Sequence, residues 1–284
     1  MKGSIFTILT LLGAFSASNA SPFKSYAKTR ALSMITMPRG GAGPIASIDA
    51  AKIAGTICLL QGAYCALAPK ANAEAYGMEE LSPCNTMVMR RIGISILNTG
   101  VTVFCLVFKD YSLKTAAAIN GLIWVAETLS SLWNNKSEIT GPSKAGDLSI
   151  LAFNAVTVYA ALNNLDWFMT SLKAWSTYWM ISGLPILFAP KFAMTLWQIK
   201  GDDEFTPGTV ALIGRNMGIG NVLTAALAWG VEPITALGYA AAAAVVLCTK
   251  SNFFSPEVDV LNLDTKMLAF WPIYNAAIAA SVLL

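Results

Sequence analysis

Leu67-Ala68-Pro69-Lys70 returns as Phe188-Ala189-Pro190-Lys191, and the fold reading starts from that echo. Glu79-Glu80-Leu81-Ser82-Pro83 is matched by Asp203-Glu204-Phe205-Thr206-Pro207. Eight residues past each second proline stands an arginine, Arg91 and Arg215. Farther on, Leu151-Ala152-Phe153 is matched by Leu268-Ala269-Phe270. The four anchors keep their order while their offsets drift only from 121 to 124 to 117. A tandem duplication explains this most simply, and internal repeats have to be settled before a fold is assigned.

Each half is mostly apolar. The chain is 55% hydrophobic and 12% charged, with a mean hydropathy of +0.57. Soluble domains carry about 25% charged residues, so the composition points to an all-α, polytopic membrane protein. The net charge of +3 misleads, because Lys2, Lys24, Lys28, Arg30 and Arg39 all precede the first acid, Asp49. From residue 49 onward 14 basic residues face 16 acidic ones. Nucleic acid is excluded as a partner, since it calls for a clustered basic face. Histidine is absent, which removes the commonest metal ligand and general acid–base. Cys58, Cys65, Cys84, Cys105 and Cys248 form no CxxC pair, and all but Cys84 lie in apolar runs. They read as small buried hydrophobes, and no metal site is expected.

A spanning helix needs about 20 predominantly apolar residues. Eight ranges qualify: 51–68, 84–108, 113–133 and 147–163, then 173–189, 208–229, 232–249 and 266–284. Punctuation agrees. Ser82-Pro83 and Thr206-Pro207 set a hydroxyl cap before proline at the first helical position. Pro69 and Pro190 end the first helix of each half. Trp133, Trp167, Trp175, Trp197 and Trp229 fall near span ends, as an interfacial belt requires. With four spans per unit the second unit enters from the same side, so the two four-helix repeats (49–166 and 167–284) should be parallel. Lys70, Lys136, Lys144, Lys191, Lys200, Lys250 and Lys266 follow the odd-numbered spans, with Arg90, Arg91 and Arg215 just inside the next ones. The opposite connections hold Lys109, Lys114 and Lys173. The positive-inside rule therefore puts the long loops on the cytosol-equivalent side and both termini opposite.

The N-terminus reads as an address. Met1-Lys2, the apolar run from Ile5 to Phe15, and Ser18-Asn19-Ala20 make a signal peptide over 1–20. Residues 21–48 are Ser/Ala-rich, basic and free of acids, which is transit-peptide composition. The tandem leader resembles the bipartite leaders of plastid proteins in diatoms and related algae, with Phe23 three residues beyond the expected cut. That resemblance implies a plastid membrane, thylakoid or envelope; a secretory-pathway membrane is the alternative. The repeat unit is also similar to small four-helix membrane families of unknown function, in its Ala-Pro helix ending and early arginine. The resemblance implies an architecture and no activity.

Several residues stand out. Arg91 and Arg215 lie about 12 Å along their helices, where arginine is costly and faces a cavity, a partner or the interface. They could line a shared anion site with Asn98 and Asn221, or each could reach back to its acidic dyad, Glu79-Glu80 or Asp203-Glu204. The asparagines could instead bond between helices. Glu127 is the one acid well inside a span, a candidate for proton coupling or pigment ligation, or else a hydrogen-bonded interfacial group. Gly214, Gly218 and Gly220, with Gly93 in the first half, offer smooth surfaces for helix packing or a homodimer. Asp202-Asp203-Glu204 reads as a solvated loop. No cofactor is indicated.

Two functions lead. One is a non-catalytic accessory or scaffold subunit of a plastid membrane complex, for instance a photosynthetic one in the thylakoid. The other is a small-solute or anion carrier or channel built on two parallel repeats. A membrane enzyme is the least favoured class.

Overall fold

The computed structural model describes residues 46–78, 81–134, 144–199, 206–255 and 264–284. The signal segment, nearly all of the transit-like segment and both acidic dyads lie outside the described residues. What is described is helical throughout. The helices are α1 (Ser47–Leu67), α2 (Pro69–Ala75), α3 (Pro83–Val103, continued by a π-helical turn over Phe104–Phe108) and α4 (Leu113–Trp133). Then follow α5 (Lys144–Leu162), α6 (Phe168–Phe188), α7 (Pro190–Trp197), α8 (Thr206–Ala228), α9 (Pro233–Phe253) and α10 (Thr265–Leu283).

Each of the eight predicted ranges falls on a long helix. Six of these are long and apolar enough to cross a membrane: α1, α3, α5, α8, α9 and α10. The chain is thus a multi-pass helical membrane protein. α4 and α6, each 21 residues, match in length but are not among the six. The first helix begins at Ser47, so the last two residues assigned to the leader belong to α1.

Local chemistry explains the ends. Ser82 Oγ accepts the Asn85 amide at 3.2 Å ahead of Pro83 at the first helical position. Ser112 caps α4 in the same way through Thr115, and Glu232 caps α9 through Thr235. Pro69 and Pro190 act differently from the prediction. They do not only end α1 and α6; each opens a short second helix, α2 or α7, at the first helical position. The chain bends at the residue before, Ala68 (φ −128°, ψ 58°) and Ala189 (φ −143°, ψ 65°), because a residue preceding proline is pushed out of the helical region. Gly77 (φ 90°) and Gln198 (φ 55°) follow these short helices, and Asp110 (φ 53°) and Gly230 (φ 87°) follow α3 and α8.

The packing pairs α1 with α3, α4 with α5, α6 with α8, and α9 with α10. The long helices α3 and α8 also pack on each other. α10 returns to α1, where Ser47 Oγ donates to the Ser281 carbonyl at 3.1 Å. The α1–α3 crossing is the tightest. A Cβ at Gly93 would lie 2.3 Å from the Ala66 amide nitrogen, and one at Gly62 2.3 Å from that of Leu97. One core cluster joins Ala50, Ala54 and Val103 to Leu223, Leu237 and Ala240, so residues of the two halves share a core.

Candidate functional site: a polar cavity inside the helix bundle

Ser95, Asn98, Thr99 and Thr102 follow the i, i+3, i+4, i+7 spacing and so share one face of α3. That face lines a cavity of about 80 Å³. α4 adds Asn120 and Trp124, α5 adds Asn154 and Thr157, α6 adds Trp175 and Trp179, and α8 adds Asn216, Asn221 and Thr224. No charged side chain is among the lining residues. Asn154 and Asn216 each sit ten residues into their helices, which at 1.5 Å per residue is about 15 Å from the helix starts. α4 and α6, the two helices short of the apolar standard, present indoles to this space, and α4 an amide as well.

The hydrogen bonds are incomplete. The hydroxyls turn their protons to their own helices. Ser95 Oγ donates to the Arg91 carbonyl at 3.1 Å, Thr102 Oγ1 to that of Asn98 at 2.8 Å, and Thr224 Oγ1 to that of Gly220 at 2.8 Å. Asn120 Nδ2 donates to Thr102 Oγ1 at 2.8 Å. Asn98 Oδ1, Asn120 Oδ1, Asn221 Nδ2 and Trp175 Nε1 are buried and have no partner. Turning either amide of Asn98 or Asn221 exchanges its oxygen for its nitrogen, so reassignment alone moves the question rather than answering it. A buried polar group left unmade costs about 1–3 kcal/mol. Water-sized space beside such groups is where buried solvent or a polar ligand belongs.

The predicted site residues separate. Asn98 and Asn221 line this cavity, along with Gly220. Neither arginine does. Arg91 Nη2 donates to Asp147 Oδ1 at 2.7 Å. Asp147 is fully buried, and its other oxygen accepts the Ser131 hydroxyl at 3.0 Å. Arg215 donates to the Asn252 amide oxygen and lines a second, smaller cavity. Glu127 is buried and forms an ion pair with Arg90 at 3.0 Å. The glycines contact different neighbours: Gly93 meets α1, Gly214 meets Ile186 and Leu187 on α6, and Gly218 meets Leu247 on α9. Trp133 and Trp229 are exposed as a belt requires, and Lys173 Nζ stacks over Trp229 at 4.8 Å. Trp175 departs from the belt, because it lies seven residues inside α6 and faces the cavity.

Asn120, Asn154 and Trp175 were missed as lining residues. The signal available was the polar stripe on α3, which demands matching polar groups on whatever packs against it. No protein family, no curated protein and no solved structure matches this chain. The likeness to four-helix families therefore stands on the quoted residues alone.

Proposed function

We propose that the protein is an eight-span carrier or channel of two parallel four-helix repeats, and that its central cavity takes a small, neutral, hydrogen-bonding solute. The observation that carries this is the set of unpartnered amide and indole groups around one uncharged cavity. Such groups can exchange hydrogen bonds with a solute without the cost of desolvating an ion.

Contacts between helix ends support eight spans. Arg91–Asp147, Arg90–Glu127, Arg215–Asn252 and the Asp264 amide on the Tyr76 carbonyl join the starts of α3, α5, α8 and α10 with the ends of α2, α4 and α9. Ser47–Ser281, Lys114–Asn164 and Lys173–Trp229 join the opposite ends. The long helices thus alternate in direction, α4 and α6 included, and about 21 residues of helix make roughly 30 Å. Matching backbone features support the repeat. The bends before Pro69 and Pro190 are 121 residues apart, as are positive-φ Gly77 and Gln198, and Asp110 and Gly230 are 120 apart. The leader supports delivery to a plastid membrane.

An accessory subunit of a plastid complex is the second reading. It draws on outward residues such as Tyr178, Ile181, Leu184 and Phe188 of α6, which lipid covers equally well. Proteoliposomes separate the two. Stopped-flow light scattering with urea, acetamide and glycerol should show solute entry faster than in protein-free vesicles, and Asn120→Leu should slow it. Rates equal to empty vesicles for every solute, with the native protein migrating only in a large complex, would sink the carrier reading.

A further inference from the structure

Arg91 and Arg215 occupy matching places on α3 and α8, but among the described residues only Arg91 has a countercharge. Arg91 meets the buried carboxylate of Asp147 at 2.7 Å. Arg215, 6% exposed, meets Asn252, a neutral amide whose nitrogen is already given to the Leu268 carbonyl at 2.8 Å. Among the described residues no carboxylate lies within ion-pair distance of Arg215. A guanidinium does not shed its proton inside a protein. A buried charge left unpaired is strongly unfavourable.

Arg215 opens on the second cavity, about 40 Å³, with Gln61, Asn72, Tyr76 and Trp271 around it. The Tyr76 hydroxyl accepts from Trp271 Nε1 at 2.7 Å, which leaves its own O–H to donate. Burial pushes the Tyr76 hydroxyl above its usual range, while the Trp271 hydrogen bond and the Arg215 charge pull the other way. Asn72 Nδ2 faces only sulfur, Cys65 Sγ at 3.5 Å and Met89 Sδ at 3.6 Å. Sulfur is a weak acceptor. Among the described lining residues the cavity thus presents a cation and underused donors, and no carboxylate.

We propose that this second cavity binds one halide-sized monovalent inorganic anion, held by the Arg215 guanidinium and the Tyr76 hydroxyl. Its roughly 40 Å³ exceeds the roughly 10–15 Å³ of such space that one buried water needs, which leaves room for a halide. A single guanidinium balances a single negative charge, which disfavours phosphate or sulfate. The bound ion would bridge α1, α2, α8 and α10, and so both halves of the chain. The site shares one wall residue, Asn216, with the neutral-solute cavity and does not depend on that reading.

The test is radiolabelled chloride binding to the full chain in detergent, by equilibrium dialysis, with gluconate keeping ionic strength constant. Thermal unfolding is followed in the same buffers. One saturable chloride per chain is expected, with a melting temperature that rises with chloride and not with gluconate. Arg215→Gln should abolish both effects. Tyr76→Phe keeps the ring and should fold normally; losing a hydrogen bond to an anion should weaken binding about tenfold or more. Wild-type protein without saturable chloride binding, or a Tyr76→Phe protein that binds as tightly as wild type, would overturn the proposal.

Discussion

Gly93→Ala adds one methyl at the point where α1 and α3 run closest. Its Cβ would stand 2.3 Å from the Ala66 amide nitrogen and 2.7 Å from the Cys65 carbonyl carbon. Both are backbone atoms, so no rotamer change relieves the clash. Ordinary contact begins near 3.4 Å, so the two helices must part by about 1 Å. Gly62 and Gly100 hold the same crossing, with clearances of 2.3 and 2.5 Å to Leu97 and Leu59 amide nitrogens. Parting therefore loosens contacts along its whole length. Overpacking of this kind costs about 1–3 kcal/mol, and a clash confined to backbone belongs at the upper end. Two substitutions calibrate the reasoning. At Gly218 the near atom is the end of a flexible side chain, Leu247 Cδ1 at 2.9 Å, so alanine should cost less than about 1 kcal/mol. At Gly183 nothing lies within 4 Å, and alanine should be neutral or gain up to about 1 kcal/mol of helix propensity. Far-UV circular dichroism during denaturing-detergent titration in mixed micelles measures all three. If Gly93→Ala unfolds at the same midpoint as Gly183→Ala, the close crossing of α1 and α3 is wrong.

Three further substitutions probe the ion pairs. Asp147→Asn should destabilise the fold by about 3–5 kcal/mol, because it strands the Arg91 charge in a buried place. Adding Arg91→Gln should restore part of that loss in the same titration, since the double variant removes the stranded charge. Glu127→Gln should cost less than Asp147→Asn, because its partner Arg90 is 32% exposed at the side chain and water screens the pair. Solute entry into vesicles should be unchanged by Glu127→Gln. A flux that changes with it would support Glu127 as a proton-coupling residue.

The helix boundaries were largely legible because they depend on nearby atoms. Ser82 caps through an amide three residues on, and proline acts on its own turn. The short helices α2 and α7 were not, since Pro69 and Pro190 can stop one helix or start another, and only the neighbouring packing decides. Partners across the bundle were also hidden. The sequence offered Arg91 a shared anion site or a nearby acidic dyad, and the dyad lies outside the described residues; the countercharge it meets among them is Asp147, 56 residues away and on another helix. Gly62 and Gly100 escaped notice because the close crossing they make lies between two helices and not within one spacing pattern. Mean hydropathy hid the cavity for a similar reason. It averages every face of a helix, so the stripe from Ser95 to Thr102 vanished beneath the apolar residues on the rest of α3.

The interhelical-bond reading of Asn98 and Asn221 makes a definite demand, namely that each amide close onto another helix. That demand is met for Asn120, whose nitrogen reaches Thr102 across the α3–α4 boundary at 2.8 Å. It is not met for Asn98 Oδ1 or Asn221 Nδ2, which stay unpartnered around the same cavity. Inside a bilayer an unsatisfied polar group costs several kcal/mol, and alanine or leucine at either position would avoid the cost. On the carrier reading the cavity is wet or filled, and water or a solute supplies the missing partners. The arginines obey the same logic with the opposite result. Arg91 meets a buried carboxylate, while among the described residues Arg215 meets a neutral amide and lines the second cavity. On the duplication reading, the halves have kept the scaffold and diverged in what satisfies its buried polar groups.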